Sequence, residues 1–202
     1  IKFARAATGR QAIVAFEGGY HGRTLMTLSL TSKTSFKKTF GPFAPEIYRA
    51  PFPSAYRMGL SEADATERCW EAFERMLVAG VGPEAIAGVI IEPVQGEGGF
   101  IPVPAEFMRR LREFCTSNGS VLIADEVQTG IGRTGKMFAF QHEDARPDVL
   151  TLGKGLGAGL PKMRPPLEVQ GNDPLRAQRL RGGDGAVRVE RVGERAGGAK
   201  PH

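Results

Sequence analysis

"VLIADEVQTG", residues 121–130, drives a short apolar run straight into two carboxylic acids, Asp125 and Glu126. An apolar run of that length, ended by polar residues, reads as a strand covered on both faces. Working outward, similar runs recur at 12–16, 46–50, 86–92 and 148–152, with 121–124 as the strand of the quoted stretch, and helical patterns lie between them. That alternation predicts an α/β fold, a mostly parallel sheet with flanking helices. Ser61 followed by Asp64 makes a capping-box-like helix start, with Cys69, Phe73, Met76 and Leu77 as its apolar face. A second helix follows Pro104, carries Phe107, Met108, Leu111, Phe114 and Cys115 at helical spacing, and stops at Gly119. The first nine residues, "IKFARAATG", read as the last turns of a helix closed by Gly9, so an upstream part is expected.

A chain of 202 residues, 41% hydrophobic and 24% charged, can bury a real core as one large domain or two small ones. Its net charge of +5 would suggest nucleic acid, but residues 162–202 hold nine Lys or Arg against five Asp or Glu. The first 161 residues carry 18 basic against 17 acidic groups, so no nucleic-acid partner is predicted. Cys69 and Cys115, each inside a helical pattern, support neither a disulfide framework nor a CxxC metal site, and a reducing cytoplasm is expected. No apolar run approaches the roughly 18 residues of a membrane span, and no signal-peptide pattern opens the chain. His21, His142 and His202 make no ligand spacing, so no metal is predicted. Residues 162–202 contain no Phe, Tyr or Trp and seven glycines. They are read as a disordered tail behind a domain of residues 1–161.

In such a sheet the chemistry gathers at the carboxyl ends of the strands. "GIGRTG", 130–135, matches a dinucleotide GxGxxG and, with Lys136, nearly a P-loop. Met137 stands where a P-loop needs a hydroxyl for Mg²⁺, and "DEVQT" separates the strand from the first glycine, so both nucleotide readings are weak. Lys154 is sharper, flanked by Gly153 and Gly155 and followed by Gly157 and Gly159, as if something bulky approached the backbone. A partly desolvated lysine there could form a Schiff base with a carbonyl. Pyridoxal 5'-phosphate (PLP) uses such a lysine with a carboxylate for its ring nitrogen, and Lys154 and Asp125 make that pair. Plainer roles stay open. Asp125 could cap a helix, Lys154 could be a solvated charge, Tyr20 and His21 could pack at a glycine turn, and Arg23 could pair with Glu17.

Four motifs in one order, "GGYHGRT", "IIEPVQGEGGF", "LIADEVQTGIGRTG" and "TLGKGLGAGLP", resemble the class III, ornithine aminotransferase-like, PLP-dependent aminotransferases. Within that family "YHGRTLMTLSLTSK" and "FGPFAPEIYRAPFP" are most similar to bacterial 4-aminobutyrate aminotransferases. The resemblance runs from Ile1 to Pro161 and implies part of a type I PLP-enzyme large domain. It implies that Lys154 holds the cofactor aldehyde and moves the proton. Asp125 would bind the ring nitrogen, Val127 pack beneath the ring and Gln128 bond the ring hydroxyl. Tyr20 would stack on the other face with His21 beside it, Arg23 would take the substrate carboxylate, and Glu92 and Glu97 would line the substrate side.

The same resemblance implies amino-acid and 2-oxo-acid substrates and a homodimer in the full-length family. The expected reaction is transamination of an ω-amino acid, 4-aminobutyrate to succinate semialdehyde, with 2-oxoglutarate as acceptor. Acetylornithine or ornithine is the alternative donor, and a nucleotide enzyme or a non-catalytic fragment are the rivals of another class. The family's phosphate-binding turn before "ARAATG" and its C-terminal part after the lysine have no counterpart here. The tail therefore reads as an out-of-frame product of a GC-rich gene, leaving a fragment of the cofactor domain.

Overall fold

The computed structural model describes residues 1–143 and 145–157 and the backbone of 186–189. In chain order the elements are α1 (Lys2–Thr8), β1 (Ala12–Phe16), α2 (Leu25–Leu30), β2 (Ile47–Ala50), α3 (Ala55–Met58) and α4 (Glu62–Ala79). Then come β3 (Ile86–Ile91), β4 (Val94–Gln95), β5 (Ile101–Pro102), α5 (Ala105–Asn118), β6 (Val121–Glu126), β7 (Val149–Leu152), α6 (Lys154–Gly157) and β8 (Ala186–Val189). One sheet has the order β2-β1-β3-β6-β7-β8, and β4 pairs with β5 in a small antiparallel ribbon. From β2 to β7 every pairing is parallel, so their carboxyl ends share one edge.

Because strand side chains alternate, each buried strand feeds two cores. Ala12, Val14 and Phe16 face Cys69 and Phe73 of α4 and Phe107, Met108 and Leu111 of α5. Ile13 and Ala15 face the other side, with Ala4 of α1 and Leu30 of α2. The alternation slips once. Ala12 pairs with Ile86 but Ile13 pairs with Gly88, so β3 carries one extra residue and its parity changes there. That bulge lets Ile86, Val89 and Ile91 all serve the first core, while Ala87 and Ile90 serve the second. A Cβ at Gly88 would lie 2.8 Å from the Val121 carbonyl, so only glycine lets β6 pair here.

The predicted helices form where their caps stand. Ser61 Oγ accepts the Asp64 N–H at 3.1 Å and donates to its carboxylate at 2.7 Å. Ser61→Ala should therefore lower stability by about 1 kcal/mol in urea unfolding, and an unchanged midpoint would discount the cap. Gly119 closes α5 at φ 66°, in the left-handed region. Both cysteines are free and buried in the first core, where burial pushes Cys69 up to about 11 and Cys115 up to about 12. No helix among the described residues is long and apolar enough to cross a membrane.

Two expectations are corrected. The strand read as 121–124 continues through Glu126, because Asp125 and Glu126 still pair with Thr151 and Leu152 of β7. Within 162–202, read as disordered, Ala186–Val189 is a strand antiparallel to β7, a β-prone Ala-Val-Arg-Val run completing an otherwise open edge. The remainder of that tail, and residues 158–161, lie outside the described residues.

Candidate active site

The loops after β1, β3, β6 and β7 meet on the shared carboxyl edge, around Asp125. Asp125 is 7% exposed, and its two oxygens are unequally used. Oδ1 accepts from the Thr151 hydroxyl at 2.8 Å and the Val127 N–H at 3.2 Å, while Oδ2 accepts from His21 Nδ1 at 2.7 Å. An ionised carboxylate can only accept, so His21 carries its proton on Nδ1. Burial pushes the Asp125 pKa up, but the His21, Thr151 and Val127 bonds outweigh it and hold the group below the ordinary aspartate value. His21 is held in turn by its backbone N–H, which donates to Thr31 Oγ1 at 3.0 Å. It therefore lies against Asp125 from the β1 side.

Glu92, expected on the substrate side, is a buried brace between two loops. It accepts Tyr20 N–H at 2.7 Å on one oxygen and Gly96 N–H at 3.0 Å on the other. Burial pushes its carboxyl pKa up, and the bonds with the His21 field only partly offset this. Gln95 ties the same loops, donating to the Glu17 carbonyl at 2.7 Å. Gly18, at φ 76°, leaves room for that amide, since a Cβ there would stand 2.6 Å from Gln95 Oε1. Tyr20 meets Phe36 edge-on at 5.2 Å, and the exposed Arg23 lies over the same ring at 5.4 Å rather than against Glu17. Glu97 is exposed.

Lys154 opens α6 immediately after β7, with its N–H on the Val127 carbonyl at 3.0 Å. Its side chain is exposed, and among the described residues its Nζ is committed to no acceptor. The bare backbone beside it has a cause inside the protein. A Cβ on Gly153 would stand 2.7 Å from Val127 Cγ1, and one on Gly155 3.0 Å from Ile131 Cβ, so the β6 loop packs on these glycines. Gln128 lies on Gly96, where a Cβ would fall 1.6 Å from its Oε1.

Two residues escape sequence reading. Glu126, 1% exposed, accepts from Thr129 Oγ1, Ala139 N and Phe140 N, each at 2.8 Å, and so pins the loop that carries Val127 and Gln128. Thr151 is the other, and counting back from Lys154 along a parallel neighbour of β6 would have found it. The nucleotide reading loses its support. Residues 130–135 turn without opening a helix, the next element being the short 3₁₀ turn Ala139–His142, so no helix N-terminus faces an anion there. Lys136 instead donates to the Gln141 carbonyl at 2.7 Å.

The family model for Aminotransferase class-III matches residues 1–166. This chain belongs to the class-III aminotransferases. It is 49% identical over 164 residues to a probable 4-aminobutyrate aminotransferase of Bacillus subtilis, covering 80% of this chain and 38% of that protein. It is also 49% identical over 162 residues to a 5-aminovalerate aminotransferase of Pseudomonas putida, covering 80% of this chain and 37% of that one. Among solved structures, taurine:2-oxoglutarate aminotransferase from Bifidobacterium kashiwanohense, in complex with PLP and glutamate, superposes with a TM-score of 0.74 at 33% identity. That match covers 79% of this chain and 36% of the other. The chain thus spans well under half the length of these relatives.

Proposed function

We propose that this class-III chain carries the cofactor-binding part of a PLP-dependent transaminase for an ω-amino acid, with 4-aminobutyrate as donor and 2-oxoglutarate as acceptor. The observation that carries the reading is the acceptor set of Asp125. Oδ1 is taken twice and Oδ2 once, which leaves Oδ2 an acceptor position suited to a protonated ring nitrogen. The cradle also suits a flat ring, with Val127 seated on Gly153 and Gln128 on Gly96.

When bound, PLP supplies an electron sink that acidifies the amine-bearing carbon of the substrate. Asp125 would hold the proton on the ring nitrogen, and His21 would keep Asp125 ionised. Lys154 Nζ, exposed and uncommitted among the described residues, would anchor the aldehyde and carry the proton taken from the substrate carbon. Val127 would support one ring face and Tyr20 the other, with Gln128 on the ring hydroxyl. Arg23 offers a planar fork for the substrate carboxylate, and leaving Phe36 to do so would cost it only an exposed cation–π contact. Glu97, exposed on the β4–β5 side, would face the substrate. A cytoplasmic homodimer is the proposed setting.

The likeness at equal identity to a 5-aminovalerate enzyme favours a second donor, one methylene longer. A pocket discriminates one methylene by about 10- to 200-fold. Single-turnover loss of the cofactor's visible absorbance should therefore be at least about tenfold faster with 4-aminobutyrate than with 5-aminovalerate or acetylornithine. Equal or reversed rates would remove 4-aminobutyrate as the donor while leaving transamination in place.

A further inference from the structure

We infer that Thr151 is a positioning residue for the Asp125 carboxylate, acting from the same strand that delivers Lys154. The inference rests on the cofactor reading, but its geometry does not. Asp125 and Thr151 are direct partners in the β6–β7 register, and the Thr151 hydroxyl donates to Oδ1 at 2.8 Å. The carboxylate cannot donate, so this hydroxyl's proton must be the one in the bond. His21 alone on Oδ2 would leave the carboxylate plane free to turn about its bond to Cβ. The second oxygen is what stops that rotation, and of its two donors Thr151 is the nearer, Val127 N–H lying at 3.2 Å.

Threonine suits the task because branching at Cβ restricts its χ1. Serine could make the bond but would hold it less firmly, and valine would match the shape and lose the donor. Three residues further along the chain, Lys154 leaves the strand end. One strand thus sets both the carboxylate for the ring nitrogen and the amine for the aldehyde, which fixes their separation through backbone rather than through loops. The other titratable groups facing Asp125 are His21 from the β1 loop and Glu92 at the end of β3.

The test compares Thr151→Val and Thr151→Ser with the wild-type chain in two assays. In PLP titrations followed by the absorbance that borohydride fixes, Thr151→Val should bind about tenfold more weakly and Thr151→Ser within about threefold of wild type. In the cofactor-free chain, Asp125 loses a donor to its charged form. Acid unfolding, followed by Trp70 fluorescence, should then begin at higher pH in Thr151→Val and be unmoved in Thr151→Ser. Thr151→Ala removes the hydroxyl without the valine's second methyl and is read by the same criteria if the valine protein does not fold. Unchanged affinity and acid profile in the hydroxyl-free proteins, or equal losses in Thr151→Ser, would overturn the assignment. A wild-type chain that shows no borohydride-fixed absorbance would overturn the cofactor reading alone, since the acid profile still decides what Thr151 does to Asp125.

Discussion

Lys154→Ala is expected to abolish borohydride-fixed labelling by PLP completely, with the labelled peptide of the wild-type chain mapping to Lys154. The side chain is exposed and its Nζ holds no partner among the described residues, so the substitution removes chemistry without removing packing. Its stability should stay within about 0.5 kcal/mol of wild type. The backbone N–H that anchors this position, on the Val127 carbonyl, is untouched by the change. Lys154→Arg keeps the charge but offers no amine that can condense with an aldehyde at neutral pH, and should fail equally. Lys33, Lys37 and Lys136 serve as internal controls, because Lys37 and Lys136 are occupied by carbonyls and Lys33 by an aromatic ring. Labelling that survives in Lys154→Ala would sink the assignment of the aldehyde anchor, and with it the proposed reaction. Circular dichroism on the same samples separates that outcome from loss of fold.

The sheet was legible because its strands are apolar on both faces, and runs such as 86–92 and 148–152 have few other readings. Helix limits were legible where a single residue sets them, as at Ser61, Gly9 and Gly119. The bulge at Gly88 was not, since it depends on which strands become neighbours, and the sequence carries no mark of strand order. Likewise α2 and the β4–β5 ribbon are too short for a period to show. At the site, Asp125 and Lys154 stood out as charges at the ends of apolar strand-like runs. The tighter roles did not, because they depend on contacts 26 to 104 residues apart in the chain, from Thr151 and His21 to Asp125. Glu92 carries a second role that only its neighbours in space reveal. The family resemblance implied a place on the substrate side, and its two backbone donors also make it the brace that sets Tyr20.

Asp125→Ala should produce the largest combined loss, in fold and in cofactor. It strands three donors in a site with little access to water: His21 Nδ1, the Thr151 hydroxyl and the Val127 N–H. Breaking a buried hydrogen-bonded charge of this kind costs about 3–5 kcal/mol. Urea unfolding at neutral pH should show a loss of that order, and PLP affinity should fall by about a hundredfold or more. Asp125→Asn keeps the shape and isolates the charge, and its pH profile has a defined sign. The folded-state pKa of Asp125 lies below the unfolded value, so its charge contributes stability that is fully present above about pH 4. That contribution is lost as pH falls through the lower folded value. The gap between wild type and Asp125→Asn should therefore close on acidification below about pH 4. Glu92 works in the opposite direction, because burial raises its pKa and its contribution weakens as pH rises. Glu92 is present in both proteins, but the Asp125 charge is one cause of its raised pKa, so Asp125→Asn relaxes that shift as well. A gap that stays open where acid has protonated Asp125 in both the folded and unfolded chains would mean that shape and not charge holds His21 and Thr151 in place. The carboxylate would then have no claim on a protonated ring.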